Sequence, residues 1–155
     1  MRIGIGLMAL VAGAGMAVAE PRITERTKTY SINATTFAGL RNEMNGKGPN
    51  GFWAYTAWDI RWTGSCRVTL KLTYTLPKHR NPSSMPDTVR KRFDGMMTAL
   101  VKHEQQHGAH AKAAAREIER TKCRDGNAIL EKLRATDIAF DKRTNHGIRD
   151  GATLP

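Results

Sequence analysis

The chain has 155 residues, enough for one domain with a modest core and too few for two. Its formal net charge is +11, from 25 Lys and Arg against 14 Asp and Glu. Only two cysteines are present, too few for a zinc site built from thiolates, and no segment after the first 20 residues is apolar enough to cross a bilayer.

The N-terminus has the pattern of a secretory signal peptide. Arg2 is followed by an uncharged run of small and apolar residues that ends in Ala17-Val18-Ala19, an A-x-A cleavage site. A membrane anchor is the weaker alternative, because the run is rich in Gly and Ala and is short of the roughly 20 residues of a span. We therefore predict a signal peptide at residues 1–19, a single mature domain at residues 20–155, and a secreted or periplasmic protein.

Export governs how the cysteines and the positive charge are interpreted. Cys66 and Cys123 are expected to form a structural disulfide, since a redox pair would normally show C-x-x-C spacing. The favoured interpretation of the positive charge is a solvated basic surface with no dedicated partner. The alternative is a surface that binds anionic envelope polymers, anionic lipid headgroups or acidic substrates, and not nucleic acid, which an exported protein seldom meets.

The first half of the chain predicts a small sheet. A short strand is expected near 27–32 and a helix at about 37–44, ended by a Gly- and Asn-rich turn. Residues 52–76 contain two alternating segments joined at Thr63-Gly64-Ser65, which indicates an antiparallel hairpin buried on one side. On its second strand, one face carries a row of mostly apolar side chains: Cys66, Val68, Leu70, Leu72, Tyr74 and Leu76.

The second half predicts two helices. One starts after Ser84 and Pro86 and continues to about Lys122, and the other runs from about Ala128 to Asp141. The expected fold class is α+β: a small antiparallel sheet packed on a long helix and a C-terminal helix, an arrangement of the zincin type.

The long helix contains the segment HEQQH, an HExxH motif. His103 and His107 lie four residues apart and can present two ring nitrogens to one ion, while Glu104 can reach a water bound to that ion. Both histidines belong to the stripe predicted to face the core: Val89, Phe93, Met96 or Met97, Leu100, His103, His107, Ala111, Ala114 and Ile118. The pattern predicts a metal site with its own general base, and a pair of core histidines satisfied by carboxylates is the alternative.

A third ligand is expected downstream of the motif. His110 is a poor candidate, since it lies about 10 Å along the helix axis from His103. Asp137 and Asp141 share a stripe of the last helix, and His146 follows in a loop that could fold back. We favour His146 as ligand, with Asp141 orienting it or replacing it. The alternatives are a surface charge or salt bridge for Asp137 and a capping pair for Asp141 and His146.

These segments resemble a bacterial family of predicted secreted zinc-dependent proteases, a family of unknown function within the zincin-like peptidases. The resemblance rests on HEQQH, AAAREIE, FDKRTNHG and GATLP, and extends through YSINATTFAGLRNEM and WDIRW. The family pattern has HExxH and a later YDxxTxHG, and Phe140 stands where the tyrosine is common. The resemblance implies a site at His103, Glu104 and His107, with Asp141 and His146 also functional.

Together the motif and the resemblance predict a secreted zinc peptidase. Bound Zn²⁺ would activate a water, Glu104 would serve as general base, and the substrate would be a peptide or protein. Tyr55, Tyr74 and Arg143 are candidate donors to the oxyanion. The rival prediction is a non-catalytic exported protein that binds a metal for structure or storage, or binds a polyanion.

Overall fold

The computed structural model describes residues 20–155, so the signal peptide predicted at residues 1–19 lies outside the described part of the chain. Three strands and three α-helices follow one another in this order: β1 (Arg22–Ile32), α1 (Phe37–Lys47), β2 (Tyr55–Trp62), β3 (Val68–His79), α2 (Asp87–Arg120) and α3 (Gly126–Thr144). The α+β class and the two long helices are confirmed. The strand expected near 27–32 is the second half of β1, and both C-terminal helices are within a few residues of their expected bounds.

The sheet is mixed, which corrects the expected antiparallel sheet. The strand order is β1-β3-β2: β2 pairs with β3 antiparallel, as the hairpin pattern predicted, but β1 pairs with β3 in parallel. Alternation within residues 52–76 determines only the pairing inside the hairpin. The pairing of β1 depends on the path of the chain through α1 and β2, which carries no local signal.

The hairpin packs on α2 through one face, with Val68, Leu70 and Leu72 buried as predicted. After Leu72 the alternation changes phase, and Pro77 and His79 become the buried positions of β3. β2 is an outer strand of the sheet, and its inward-facing Thr56 lies directly against α2. This contact brings the sheet to the middle of the long helix.

The apolar stripe of α2 is buried along its whole length, as the sequence predicted. Its first half packs with α1, the end of β1 and the C-terminal residues Ala152 and Leu154. Its second half packs with the hairpin and α3. His103, Glu104 and His107 lie between these two apolar clusters, so the polar motif occupies the centre of the buried face.

Cys66 and Cys123 form the predicted disulfide, which ties the start of β3 to the turn between α2 and α3. The two residues are 57 positions apart, and the bridge holds the hairpin against the end of the long helix. Within residues 20–155, no helix combines the length and the apolar character that a bilayer crossing requires.

Candidate metal centre

Two histidines of α2 and one aspartate of α3 converge on a point. The Nε2 atoms of His103 and His107 lie 3.3 Å apart. Oδ1 of Asp141 lies 3.1 Å from the first and 3.0 Å from the second. Both histidines are buried, and Asp141 is partly open to solvent. Three atoms with lone pairs therefore face one another across a small triangle.

This triangle fits a tetrahedral metal site. Ligand atoms about 2.0–2.1 Å from a zinc ion at tetrahedral angles lie roughly 3.3–3.4 Å from each other. The three observed separations, 3.0–3.3 Å, are close to that value. Imidazole nitrogen and carboxylate oxygen are also the donors that catalytic zinc sites use most. The three residues present could thus hold a divalent metal ion.

Asp137 fixes the orientation of His107. Its Oδ1 lies 3.0 Å from Nδ1 of His107 and 2.8 Å from Nδ1 of His110, while Trp58 Nε1 donates to its Oδ2 at 3.2 Å. When Nδ1 of His107 donates to Asp137, Nε2 is left with a lone pair that points at Asp141 and His103. His107, His110 and Asp137 also form a second group of possible metal ligands, which shares His107 with the first.

The protonation of the cluster follows from its surroundings. Burial lowers the pKa of His107, but the hydrogen bond and charge of Asp137, with further help from Asp141, outweigh that effect and raise it. Burial, followed by the nearby His107, lowers the pKa of His103. Burial raises the pKa of Asp137, but hydrogen bonds from His107 and His110 give it a net decrease. Asp137 and His107 thus shift each other's pKa in opposite directions, as expected for a carboxylate and an imidazole joined by a hydrogen bond.

Glu104 lies beside this triangle, buried against the sheet. The hydroxyl of Thr56 on β2 is 2.7 Å from its Oε2 and 3.0 Å from its backbone oxygen. The Thr56 hydroxyl has one proton and can donate it to either of these oxygens. Burial raises the pKa of Glu104, and the hydrogen bond from Thr56 acts against that increase. The carboxyl group of Glu104 is thus held between the sheet and the triangle.

His146 lies at the edge of the site, outside the triangle. Its Nδ1 is 3.6 Å from Oδ2 of Asp141, its side chain is about half exposed, and its ring contacts Phe52. Asn145, His146 and Gly147 all have positive φ, so the chain reverses sharply after α3 and returns over α2. Gly147 lies against the His103 ring, where an added Cβ would come within 3.1 Å of Cγ.

Phe140 of α3 packs against all three histidines of the long helix. Its ring stacks on His103 with the centroids 4.7 Å apart, and it meets His107 and His110 edge-on. Nδ1 of His103 is buried and has no hydrogen-bond partner within the described residues. Nδ1 of His103 thus has no carboxylate partner of the kind that Asp137 offers to Nδ1 of His107, and the His103 ring is held by its stacking on Phe140 and by the contact of Nε2 with Asp141.

A cavity of about 470 Å³ opens onto the cluster. Among residues 20–155, the large hydrophobic side chains that are exposed all line this cavity: Phe52, Tyr55, Ile138 and Ile148. His103, Glu104, His107, Asp141 and His146 lie along it as well. Of the candidate oxyanion donors, Tyr55 lines the cavity, whereas Tyr74 bonds Glu25 and Arg143 covers the Phe140 ring.

The structure brings His103, Glu104 and His107 together with Asp137 and Asp141 and adds two residues of β2, whereas His146 lies at the edge of the site and Tyr74 and Arg143 do not line the cavity. Asp137 was expected as either a site carboxylate or a surface charge, and it bonds two histidines. His110, rejected as a ligand, supports Asp137. Thr56 and Trp58 were missed as site residues: they stand two apart on the inward face of β2, but an alternating strand gives no sign of which helix turn it will meet.

Fold and site together define a small α+β domain with a candidate metal centre formed by two histidines of α2 and one aspartate of α3. The chain belongs to a bacterial protein family of unknown function, DUF922, whose family model matches residues 27–147. No curated protein and no solved structure matches the chain.

Proposed function

We propose that the protein is an exported zinc peptidase. The observation that supports this most is the triangle of Nε2 of His103, Nε2 of His107 and Oδ1 of Asp141, whose edges of 3.0–3.3 Å suit a tetrahedral zinc ion. Glu104 lies next to it, and the cavity gives access to it. Three protein ligands with an accessible fourth position are typical of catalytic zinc and not of structural zinc.

Zinc bound here would lower the pKa of a water to about 7 and polarise a carbonyl group. Glu104, whose carboxyl group lines the cavity, would act as the general base that accepts a proton from the attacking water and would pass it to the leaving amine. Thr56 holds the carboxyl group in place through both of its contacts. Asp137 keeps Nδ1 of His107 protonated, so that Nε2 stays available as a ligand.

The cavity suits an extended peptide with a bulky apolar side chain. The outer edge of β2 has no neighbouring strand within residues 20–155, and its Tyr55, Thr56 and Trp58 line the cavity. A peptide can pair with such an edge through its backbone, while alternate side chains enter the pocket. The exposed rim of Phe52, Ile138 and Ile148 provides apolar contact for one of those side chains.

Export is part of this proposal. The disulfide between Cys66 and Cys123 is of the kind that persists in oxidising compartments such as the periplasm or the extracellular medium. The A-x-A pattern at residues 17–19 would then mark the start of the mature chain at Glu20.

Metal content and peptide cleavage test the proposal together. The purified mature chain should bind one zinc ion per molecule and cleave peptides with apolar side chains. Glu104→Gln should retain the zinc and lose at least about 100-fold in kcat, and His103→Ala should lose both. Gln105→Ala, on the exposed side of the same helix turn, serves as matched control. A chain that takes up no zinc at micromolar concentration would end the proposal.

A non-catalytic metal site is the second candidate, and the position of His146 favours it. Its Nδ1 is 3.6 Å from Oδ2 of Asp141, close enough for a side-chain rotation to offer a fourth protein ligand. Four protein ligands would leave no position for water, as in structural zinc sites. Wild type and Glu104→Gln that bind zinc equally and are equally inactive towards peptides would support this candidate.

A further inference from the structure

One face of the sheet carries a regular array of basic and hydroxyl side chains. The strand registers place its outward positions in four rows across β1, β3 and β2. These twelve positions, here called the basic face, are Arg22, Thr69 and Arg61; Thr24, Lys71 and Asp59; Arg26, Thr73 and Ala57; and Lys28, Thr75 and Tyr55.

The basic face has a strong excess of positive charge. It holds five Lys or Arg and one acidic residue, Asp59, which is already paired with Arg61 at 2.9 Å. All five cationic side chains are exposed. Four of these five cations have no salt bridge within residues 20–155, and they lie together on one face of the sheet.

We infer that the basic face binds an acidic polysaccharide, a linear carbohydrate that carries carboxylate groups. Arg22 and Arg26 can form paired hydrogen bonds with carboxylates. Four threonines stand between the cations, and their hydroxyls can both donate to and accept from sugar hydroxyls. The rows from Arg22 to Lys28 span about 20 Å along the strand, long enough for several sugar units in one extended chain.

Other anionic partners fit this surface less well. A lipid surface would call for apolar side chains that enter the bilayer, and the interior of the basic face offers only Ala57. Inorganic polyphosphate has no apolar surface, whereas Tyr55, 41% exposed at the end of the array, can stack on a sugar ring.

The basic face adjoins the candidate metal centre. Tyr55 belongs to its last row and also lines the cavity. A polysaccharide lying along the face would therefore end at the mouth of the cavity, and the domain would be held on the polymer with its site accessible. The inference does not depend on the peptidase proposal, because it concerns a different surface and predicts binding without metal.

Binding to polygalacturonate tests the inference directly. The mature chain, with zinc removed by a chelator, is titrated with polygalacturonate, with neutral dextran, with polyphosphate and with anionic phospholipid vesicles. We expect polygalacturonate to bind, dextran not to bind, and the affinity to fall steeply with salt. Failure to bind polygalacturonate, or tighter binding to polyphosphate or to vesicles, would overturn the inference.

Two triple variants with the same change in net charge locate the surface. Arg22→Gln/Lys28→Gln/Lys71→Gln removes charge from the basic face, and Lys91→Gln/Arg92→Gln/Lys102→Gln removes it from the exposed side of α2. The first should weaken polygalacturonate binding by about tenfold or more with a flatter salt dependence, and the second by less than about threefold. Equal losses in the two variants would show that net charge alone governs binding, and would contradict the inference. Circular dichroism confirms that both variants fold.

Discussion

Oδ1 of Asp137 on α3 lies 3.0 Å from Nδ1 of His107 on α2, so a carboxylate of one helix sets the direction in which a histidine of the other can bind metal. The same oxygen lies 2.8 Å from Nδ1 of His110, and the other carboxylate oxygen accepts from Trp58 at 3.2 Å. With both oxygens occupied, Asp137 cannot rotate without losing a partner.

We therefore expect Asp137→Asn to weaken zinc binding without abolishing it. An amide has only one oxygen, so it cannot accept from both His107 and Trp58, and it carries no charge to support the imidazole. Loss of such an outer carboxylate typically weakens metal affinity by about 10–100-fold. Competition with a chromogenic chelator measures the dissociation constant. Glu131→Gln, on the exposed side of α3, should leave it unchanged, and an unaltered constant for Asp137→Asn would contradict the assigned role.

The zinc affinities of two variants decide whether Asp141 or His146 is the third ligand. Asp141 lies in the ligand triangle and His146 outside it, so Asp141→Ala should lower zinc affinity by about 100-fold or more, and His146→Ala by less than about tenfold. Zinc content after dialysis against a weak chelator gives the comparison. Retention by Asp141→Ala together with loss by His146→Ala would make His146 the third ligand and Asp141 its support.

The sequence was sufficient to place the motif on a helix and to orient it. Spacing of four residues predicts that His103 and His107 share a face, and the apolar stripe on either side of them predicts that this face is buried. Both features are local to α2. The candidate carboxylates could be nominated in the same way, because Asp137 and Asp141 share one stripe of the last helix.

Relations between elements could not be predicted from the same patterns. Thr56 reaches Glu104 because β2 crosses α2 at that turn, and nothing in an alternating strand specifies the crossing point. The parallel pairing of β1 with β3 is likewise a property of the chain path through α1 and β2. Gly108 is a further example. From the sequence alone, a glycine at this position indicates only a lower helix propensity. In the structure, the Tyr74 side chain packs against it.

That contact predicts opposite effects for two glycines of α2. In Gly108→Ala the added methyl group would overlap the phenolic oxygen of Tyr74 and lie 3.0 Å from its Cζ, so we expect a loss of about 1–3 kcal/mol in the free energy of unfolding. In Gly95→Ala the methyl group would meet nothing within 4 Å, and helix propensity should stabilise the protein by about 0.5–1 kcal/mol. Urea denaturation measures both changes.

A double variant tests whether the loss of stability in Gly108→Ala comes from the overlap with Tyr74 or from any added side chain at this position of the helix. Tyr74→Phe removes the atom that the new methyl group would overlap, so Gly108→Ala should cost less in the Tyr74→Phe background than in the wild type. An equal cost in both backgrounds would show that Tyr74 is not the cause.

The final prediction concerns Glu43, which ties α1 to the end of β1. Its Oε2 accepts hydrogen bonds from the backbone N–H groups of Asn33 and Ala34 at 2.6 and 3.0 Å, and Lys47 donates to its Oε1 at 2.6 Å. The hydrogen bond from Lys47, followed by those from the backbone, lowers the pKa of Glu43 from 4.5 to about 2.

A carboxyl group whose pKa is lower in the folded state contributes stability that is complete above pH 4.5 and is lost as the pH falls towards 2. Wild type should therefore be more stable than Glu43→Gln near neutral pH, and the difference should shrink steadily between those two values. Urea denaturation of both proteins between these pH values, with a chelator present, measures the difference in the free energy of unfolding. A difference that does not change with pH would contradict the lowered pKa of Glu43.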